Sequence, residues 1–242
     1  MAVSSFPVWS GPHREPKALA VEDLLGHLTE FEEKFAPDTL YVLGDAELLR
    51  SGTLRVAVVG SRRAPVDALR RTGKLVRALV KHQVTVVSGL AAGVDTMAHQ
   101  TAMEEGGRTI AVLGTPVDVA YPSQNRNLQL KISESDAVVS QFKTGTPVRR
   151  WNFPMRNRTM ALIADATVIV HAGKRSGTEH QGWEAIRLGR QLLLLKSFDR
   201  LGIQWAKDLR RYGAEVLSDA NLDRWLNHLH PRVALSDDFH ID

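Results

Sequence analysis

Cysteine is absent from all 242 residues, which excludes a disulfide framework, a Cys-ligated zinc site, an iron–sulfur cluster and a thiolate nucleophile together. Long apolar runs are missing too. No stretch approaches the roughly 18–20 apolar residues that cross a bilayer, and residues 1–20 lack the basic-then-apolar pattern of a secretory signal. The expectation is a soluble, cytoplasmic protein with no membrane contact. Neither sign of charge dominates: 31 Lys and Arg face 27 Asp and Glu, a net +4 with the histidines neutral. Four charges point only weakly to a polyanionic partner. There is no internal repeat and no low-complexity tract. A chain 43% hydrophobic and 24% charged has the balance of a globular protein rather than a disordered one. Its length suits one large α/β domain with at most a short appendage, since single cores stop growing near about 250–300 residues.

What the chain does contain is clustered arginine: Arg62-Arg63, Arg70-Arg71, Arg149-Arg150, Arg156 with Arg158, Lys174-Arg175 and Arg210-Arg211. It also contains a regular pattern. Apolar runs at Val56–Val59, Val84–Val87, Ile110–Leu113, Ala137–Val139, Ala166–Val170 and Leu192–Leu195 alternate with helical stretches near 66–82, 94–106, 124–133, 154–164, 178–190 and 203–212. Unbroken apolarity marks strands buried on both faces, and the helices between them supply the crossovers of a parallel sheet. The fold class expected is α/β: a doubly wound, mostly parallel, extended Rossmann-like sheet of about six strands.

Ahead of this core, Pro7, Pro12 and Pro16 make residues 1–16 a flexible lead-in. Apolar residues from Leu19 to Phe35 recur every three or four positions, predicting one helix over 18–35 that Pro37 ends. A short strand follows at 40–43. The division expected is a lead-in at 1–16, an N-terminal helix and strand extension at 17–53, the Rossmann-like core at 54–218, and a C-terminal helix with a frayed tail at 219–242.

In a doubly wound sheet, ligands bind beyond the carboxyl ends of the strands. There this chain carries Gly60-Ser61-Arg62-Arg63, then Ser88-Gly89 with Ala91 and Gly93, then Gly114-Thr115, then Gly173-Lys174-Arg175-Ser176-Gly177-Thr178. Small residues let the backbone approach an anion, and the free N–H groups and dipole of a following helix face it. Arginines add forked charge suited to phosphate. The same glycines also serve the tight βα turns that any such fold needs.

Other chemistry finds no pattern. Gly89-x-x-x-Gly93 is not the dinucleotide motif, Gly73-Lys74 lacks the rest of a P-loop, and no G-x-S-x-G elbow occurs. The nine histidines show no metal-ligand spacing. No cofactor or metal site is therefore expected. His99 lies one helical turn after Asp95, where the two could pair for structure or for catalysis. Arg149 to Arg158 interleaves four arginines with Trp151 and Phe153, the combination of charge and stacking face that holds single strands. The aromatics could equally plug the core, and for Trp151 the two roles are evenly balanced.

The ordered series is distinctive. Val56-Ala57-Val58-Val59-Gly60-Ser61-Arg62 leads to Val87-Ser88-Gly89-Leu90-Ala91-Ala92-Gly93-Val94-Asp95 and Thr109-Ile110-Ala111-Val112-Leu113-Gly114. Trp151-Asn152-Phe153-Pro154-x-Arg156-Asn157-Arg158 and Ser176-Gly177-Thr178 follow. In this series the chain resembles the DNA-processing protein A (DprA/Smf) family. The resemblance implies a non-catalytic protein that binds single-stranded DNA, dimerises, and helps load the RecA recombinase during transformation or recombination. It implies DNA contacts at Gly60, Ser61 and Arg62 and at Arg150, Phe153, Arg156, Asn157 and Arg158.

The chain departs from the family at Gln141, at Lys196-Ser197 and in the polar run Thr178-Glu179-His180-Gln181, and no winged-helix domain is expected after the sheet. The alternative is a nucleotide sensor, or a hydrolase similar to the LOG-type phosphoribohydrolases. Those enzymes carry a catalytic Glu where this chain has Gln181.

Overall fold

A computed structural model describes residues 15–50, 52–174 and 176–231. Most of the expected lead-in, Arg175 and the expected tail from 232 onward lie outside the described residues. The chain runs β1 (Lys17–Ala20), α1 (Val21–Leu25), α2 (Glu30–Glu33), β2 (Thr39–Gly44), β3 (Arg55–Gly60), α3 (Val66–Lys81), β4 (Thr85–Ser88), α4 (Val94–Glu104) and β5 (Thr109–Leu113). It continues α5 (Arg126–Ser135), β6 (Ala137–Ser140), α6 (Asn152–Ile163), β7 (Ala166–His171), α7 (Gly177–Arg187), β8 (Gln191–Leu195), α8 (Gln204–Arg211), β9 (Glu215–Leu217) and α9 (Leu222–Asn227).

The strands form one sheet in the order β1-β2-β6-β5-β4-β3-β7-β8-β9. All pairings from β6 to β9 are parallel, and β2 joins β6, and β1 joins β2, antiparallel. The period of two along β3 shows why a continuous apolar run works here. Val56 and Val58 pack with Leu75, Val76 and Leu79 of α3 and with Val94 and Ala98 of α4. Ala57 and Val59 pack with Met160 to Ile163 of α6 and with Leu209 of α8 on the other face. Each fully buried Val or Leu contributes about 1.5–3 kcal/mol over an exposed one. Among the described residues no helix is long and apolar enough to cross a membrane.

The fold agrees with the expected doubly wound sheet and differs in two places. Residues 18–35 do not form one helix. Lys17–Ala20 pairs with β2 as an edge strand, Gly26 at φ 74 ends α1, and Thr29 starts α2 by accepting a hydrogen bond from the Glu32 amide while Glu32 reaches back to the Thr29 amide. A capping box satisfies the free amides of a new helix start, so a fresh start competes with continuing the old helix. Among the described residues the sheet also has nine strands rather than about six. β9 has three residues, too short a run to separate from the loop between two helices.

Strand order reverses between β3 and β7: β4, β5 and β6 follow on one side, β8 and β9 on the other. This switch point opens a crevice at the carboxyl ends of the two central strands.

Candidate functional site

A cavity of about 510 Å3 occupies that crevice. Its walls are the loop after β3 (Gly60, Ser61, Arg62, Arg63), the approach to α4 (Ala91, Asp95), the first turns of α6 (Phe153, Pro154, Arg156, Asn157) and the entry to α7 (Ser176, Gly177, Thr178, His180, Gln181). A smaller hollow of about 70 Å3 shares Arg62, Ala91, Phe153 and Arg156 and adds Gly89, Tyr121 and Pro122.

Backbone geometry brings these loops together. Gly93 has φ +80, and a Cβ there would lie 2.3 Å from the Ser61 carbonyl oxygen. Only glycine lets the start of α4 lie against the loop after β3. At the rim, Ser176 caps α7: its Oγ accepts from the Thr178 amide at 3.2 Å and donates to the Thr178 Oγ1 at 2.8 Å. The first turn of this eleven-residue helix faces the cavity with the positive end of its dipole. Asn157 donates to the Gly177 carbonyl at 3.3 Å, tying α6 to α7.

Beneath the cavity sits a buried guanidinium. Arg156 Nη1 donates to the carbonyls of Gly89 at 2.6 Å and Val112 at 2.9 Å, lacing the ends of β4 and β5. A Cβ on Gly89 would fall 1.8 Å from that nitrogen, so a side chain at 89 would expel it. Asp95 accepts from the amides of Gly89 at 3.2 Å and Ala91 at 3.4 Å. Burial pushes the Asp95 carboxyl up, while the Arg156 charge and the two amides pull it back. Burial likewise pushes Arg156 down and Asp95 opposes it. The pairing of Asp95 with His99 that the sequence allowed is not formed. His99 Nδ1 lies 2.7 Å from Thr109 Oγ1, and burial, aided by Arg156, pushes the imidazole down to about 3, so it is neutral.

The aromatic pair divides by position. Trp151 is 57% exposed, with the Arg149 guanidinium 4.9 Å from its ring centroid, so it is not a core plug. Phe153 forms the wall between the two hollows. Its ring lies 5.2 Å from Tyr121 and 5.8 Å from the Arg62 guanidinium.

Ten of the residues singled out in the sequence therefore line one cavity: Gly60, Ser61, Arg62, Ala91, Phe153, Arg156, Asn157, Ser176, Gly177 and Thr178. Gly89 lines the smaller hollow. Ser88 is fully buried and donates to the Val58 carbonyl at 2.7 Å, stitching β4 to β3 below the site, and Gly93 acts through its backbone. Arg150 and Lys174 are exposed and line neither hollow. Arg158 points away: its Nε donates to Glu184 at 3.0 Å and its guanidinium lies 4.7 Å from the Phe35 ring.

Arg63, His180 and Gln181 line the cavity without having been singled out as ligands. Arg63 was visible as the second arginine of its cluster. Gln181 stands four residues after Gly177, on the helix face that Gly177 presents to the cavity.

Three arginines and one aspartate line the cavity, leaving it cationic, and that aspartate is bound by two amides. Glu184 is held by Arg158 and Arg187. Among the described residues no group of three His, Asp or Glu is placed to hold a metal ion. The arrangement can hold an anion with a flat group beside it.

The family model described as DNA recombination-mediator protein A matches residues 25–227. The Smf protein of a Synechocystis species is 38% identical over 188 residues, covering 76% of this chain and 47% of that protein. The chain spans about half the length of the curated relatives it matches. The structure of DNA processing protein A from Streptococcus pneumoniae superposes with a TM-score of 0.74 at 29% identity, over 92% of this chain and 74% of that one. The structure of its counterpart from Helicobacter pylori, described for a unique single-stranded DNA binding mode, also gives 0.74, at 26% identity over 90% and 96% of the two chains.

Proposed function

This chain belongs to the DNA recombination-mediator protein A family, and on that premise we propose that it binds single-stranded DNA in the cavity between β3 and β7 without cutting it. The observation that carries the reading is the convergence of Arg62, Arg63 and the α7 N-terminus on one hollow with Phe153 at its wall. A phosphate takes the positive end of the α7 dipole and the forks of Arg62 and Arg63. The neighbouring base lies against Phe153, where stacking contributes about 1–3 kcal/mol and tolerates any sequence. Arg156 and Asp95 hold the three loops at the spacing this requires. The relative from Helicobacter pylori supports the choice of ligand. We extend the reading to DNA processing and recombination in the cytoplasm, as a homodimer that helps load the RecA recombinase, on the strength of the family resemblance.

Hydrolysis of a nucleoside monophosphate needs a carboxylate on the ribose or its water. The Asp95 carboxylate is occupied by amides and Glu184 by arginines, which favours binding over hydrolysis. The test is fluorescence anisotropy of labelled oligo-dT against salt, for the natural sequence and Arg62→Ala. The natural chain should show a slope near −0.7 per phosphate contact, and the variant a slope shallower by about 0.7 with weaker binding to all sequences alike. A mononucleotide binding as tightly as the oligomer, or an Arg62→Ala variant of unchanged affinity, overturns the reading.

A further inference from the structure

A second cavity, of about 640 Å3, lies against the carboxyl ends of β8 and β9, closed on one side by α3. Leu195 and Leu217 form apolar wall, and Lys196 and Arg200 stand at the mouth. Two acidic groups also line it, each already neutralised: Asp219 holds Lys74 at 2.7 Å and Asp199 holds Arg210 at 2.7 Å. Lys196 and Arg200 make no ion pair among the described residues. The Ser197 hydroxyl, on the same wall, is closed to solvent and lacks a hydrogen-bond partner. Uncompensated cations over apolar walls suit phosphates whose bases turn inward.

The position of this cavity decides the occupant. Both cavities open at the carboxyl ends of strands in one sheet, the first at β3 and β7 and the second at β8 and β9. Two strand spacings, about 10 Å, separate them along the sheet. About three nucleotides cover that distance at the ~3.4 Å rise of a stacked strand.

We propose that the cavity at β8 and β9 is a second station on the DNA track, taking nucleotides of the strand whose neighbours occupy the cavity at β3 and β7. Lys196 and Arg200 are its phosphate contacts. The proposal rests on the single-strand reading above and adds a site to it.

The test uses the full chain with two labelled oligo-dT probes, one of about four nucleotides that fills the first cavity alone and one of about twelve. Lys196→Ala combined with Arg200→Ala should leave the short probe's affinity unchanged, which also shows the variant is folded. The long probe should weaken roughly tenfold or more at low salt, and its slope should become shallower by about 1.4 for two lost phosphate contacts. Arg200→Glu should weaken the long probe alone as well. Equal affinities for the long probe, or an equal loss on both probes, overturns the proposal. So does unchanged probe binding with thermal stabilisation by inorganic pyrophosphate that the double variant loses, since the cavity would then serve a small anion. A natural chain that binds neither probe refutes the single-strand reading itself, a different result from any of these.

Discussion

At the scale of the residue, the site depends on side chains that are almost wholly buried. Arg156 lies in a motif that reads as a DNA contact, yet its Nη1 is spent on two main-chain carbonyls. It positions the loops and supplies charge from beneath. His99, packed under the same guanidinium, makes this arrangement testable by pH. Its folded-state value, about 3, lies below the ordinary 6.5, so the unfolded chain takes up a proton that the folded chain refuses. Stability from this group is fully present above pH 6.5 and is lost as pH falls from 6.5 toward 3. Relative to His99→Gln, the natural chain should lose up to about 1.4 kcal/mol per pH unit across that window. Urea unfolding of both proteins at several pH values measures the difference. Parallel curves would mean that the imidazole is not held neutral.

At the scale of the element, α6 and α7 present the site on their first turns and are fastened together further along. Arg158 bridges them through Glu184 and also covers the Phe35 ring just beyond α2. Glu32 of α2 pairs with Arg190 after α7. The short N-terminal helices thus act as a brace on the two helices that shape the cavity. Arg158→Ala should lower the melting temperature through a loss of about 1–3 kcal/mol from the buried Glu184, left with Arg187 alone of its two arginines, while leaving the salt slope of DNA binding unchanged. A shallower slope with unaltered stability would put Arg158 on the DNA instead.

The motif around Arg158 could be read from sequence, and its direction could not. Phe35, the partner that turns it away, lies more than a hundred residues earlier. For the same reason residues 18–35 read as one helix: their period satisfies a helix, and only pairing with β2 makes Lys17–Ala20 a strand.

At the scale of the whole molecule, one sheet joins two packed layers. Trp205 belongs to the layer formed with α6, α7 and α8, and Trp225 to the layer formed with α3 and α4. Because alternate residues of each central strand serve both layers, neither can lose its packing without the other. Two variants, one keeping Trp205 and the other Trp225 as the sole tryptophan with the other four replaced by Phe, should each give coincident denaturation midpoints by fluorescence and by circular dichroism, after allowance for each variant's own stability. A displaced fluorescence transition in either one would show the layers unfolding separately.

Local pattern alone determined the alternation of buried strands and crossover helices, and with it the edge of the sheet where glycine, serine and arginine gather. That information is short-range: apolar period, helix caps and turn residues are all written within a few positions. Tertiary structure decided which of those residues share a hollow. Strand order set β3 beside β7 and so joined Arg62 to Ser176, more than a hundred positions apart. It sank Ser88 and Arg156 below the surface, turned Arg158 away and brought Gln181 to the wall. Such choices depend on pairing between distant segments, whose energies belong to the packed molecule and leave no periodic trace in the chain.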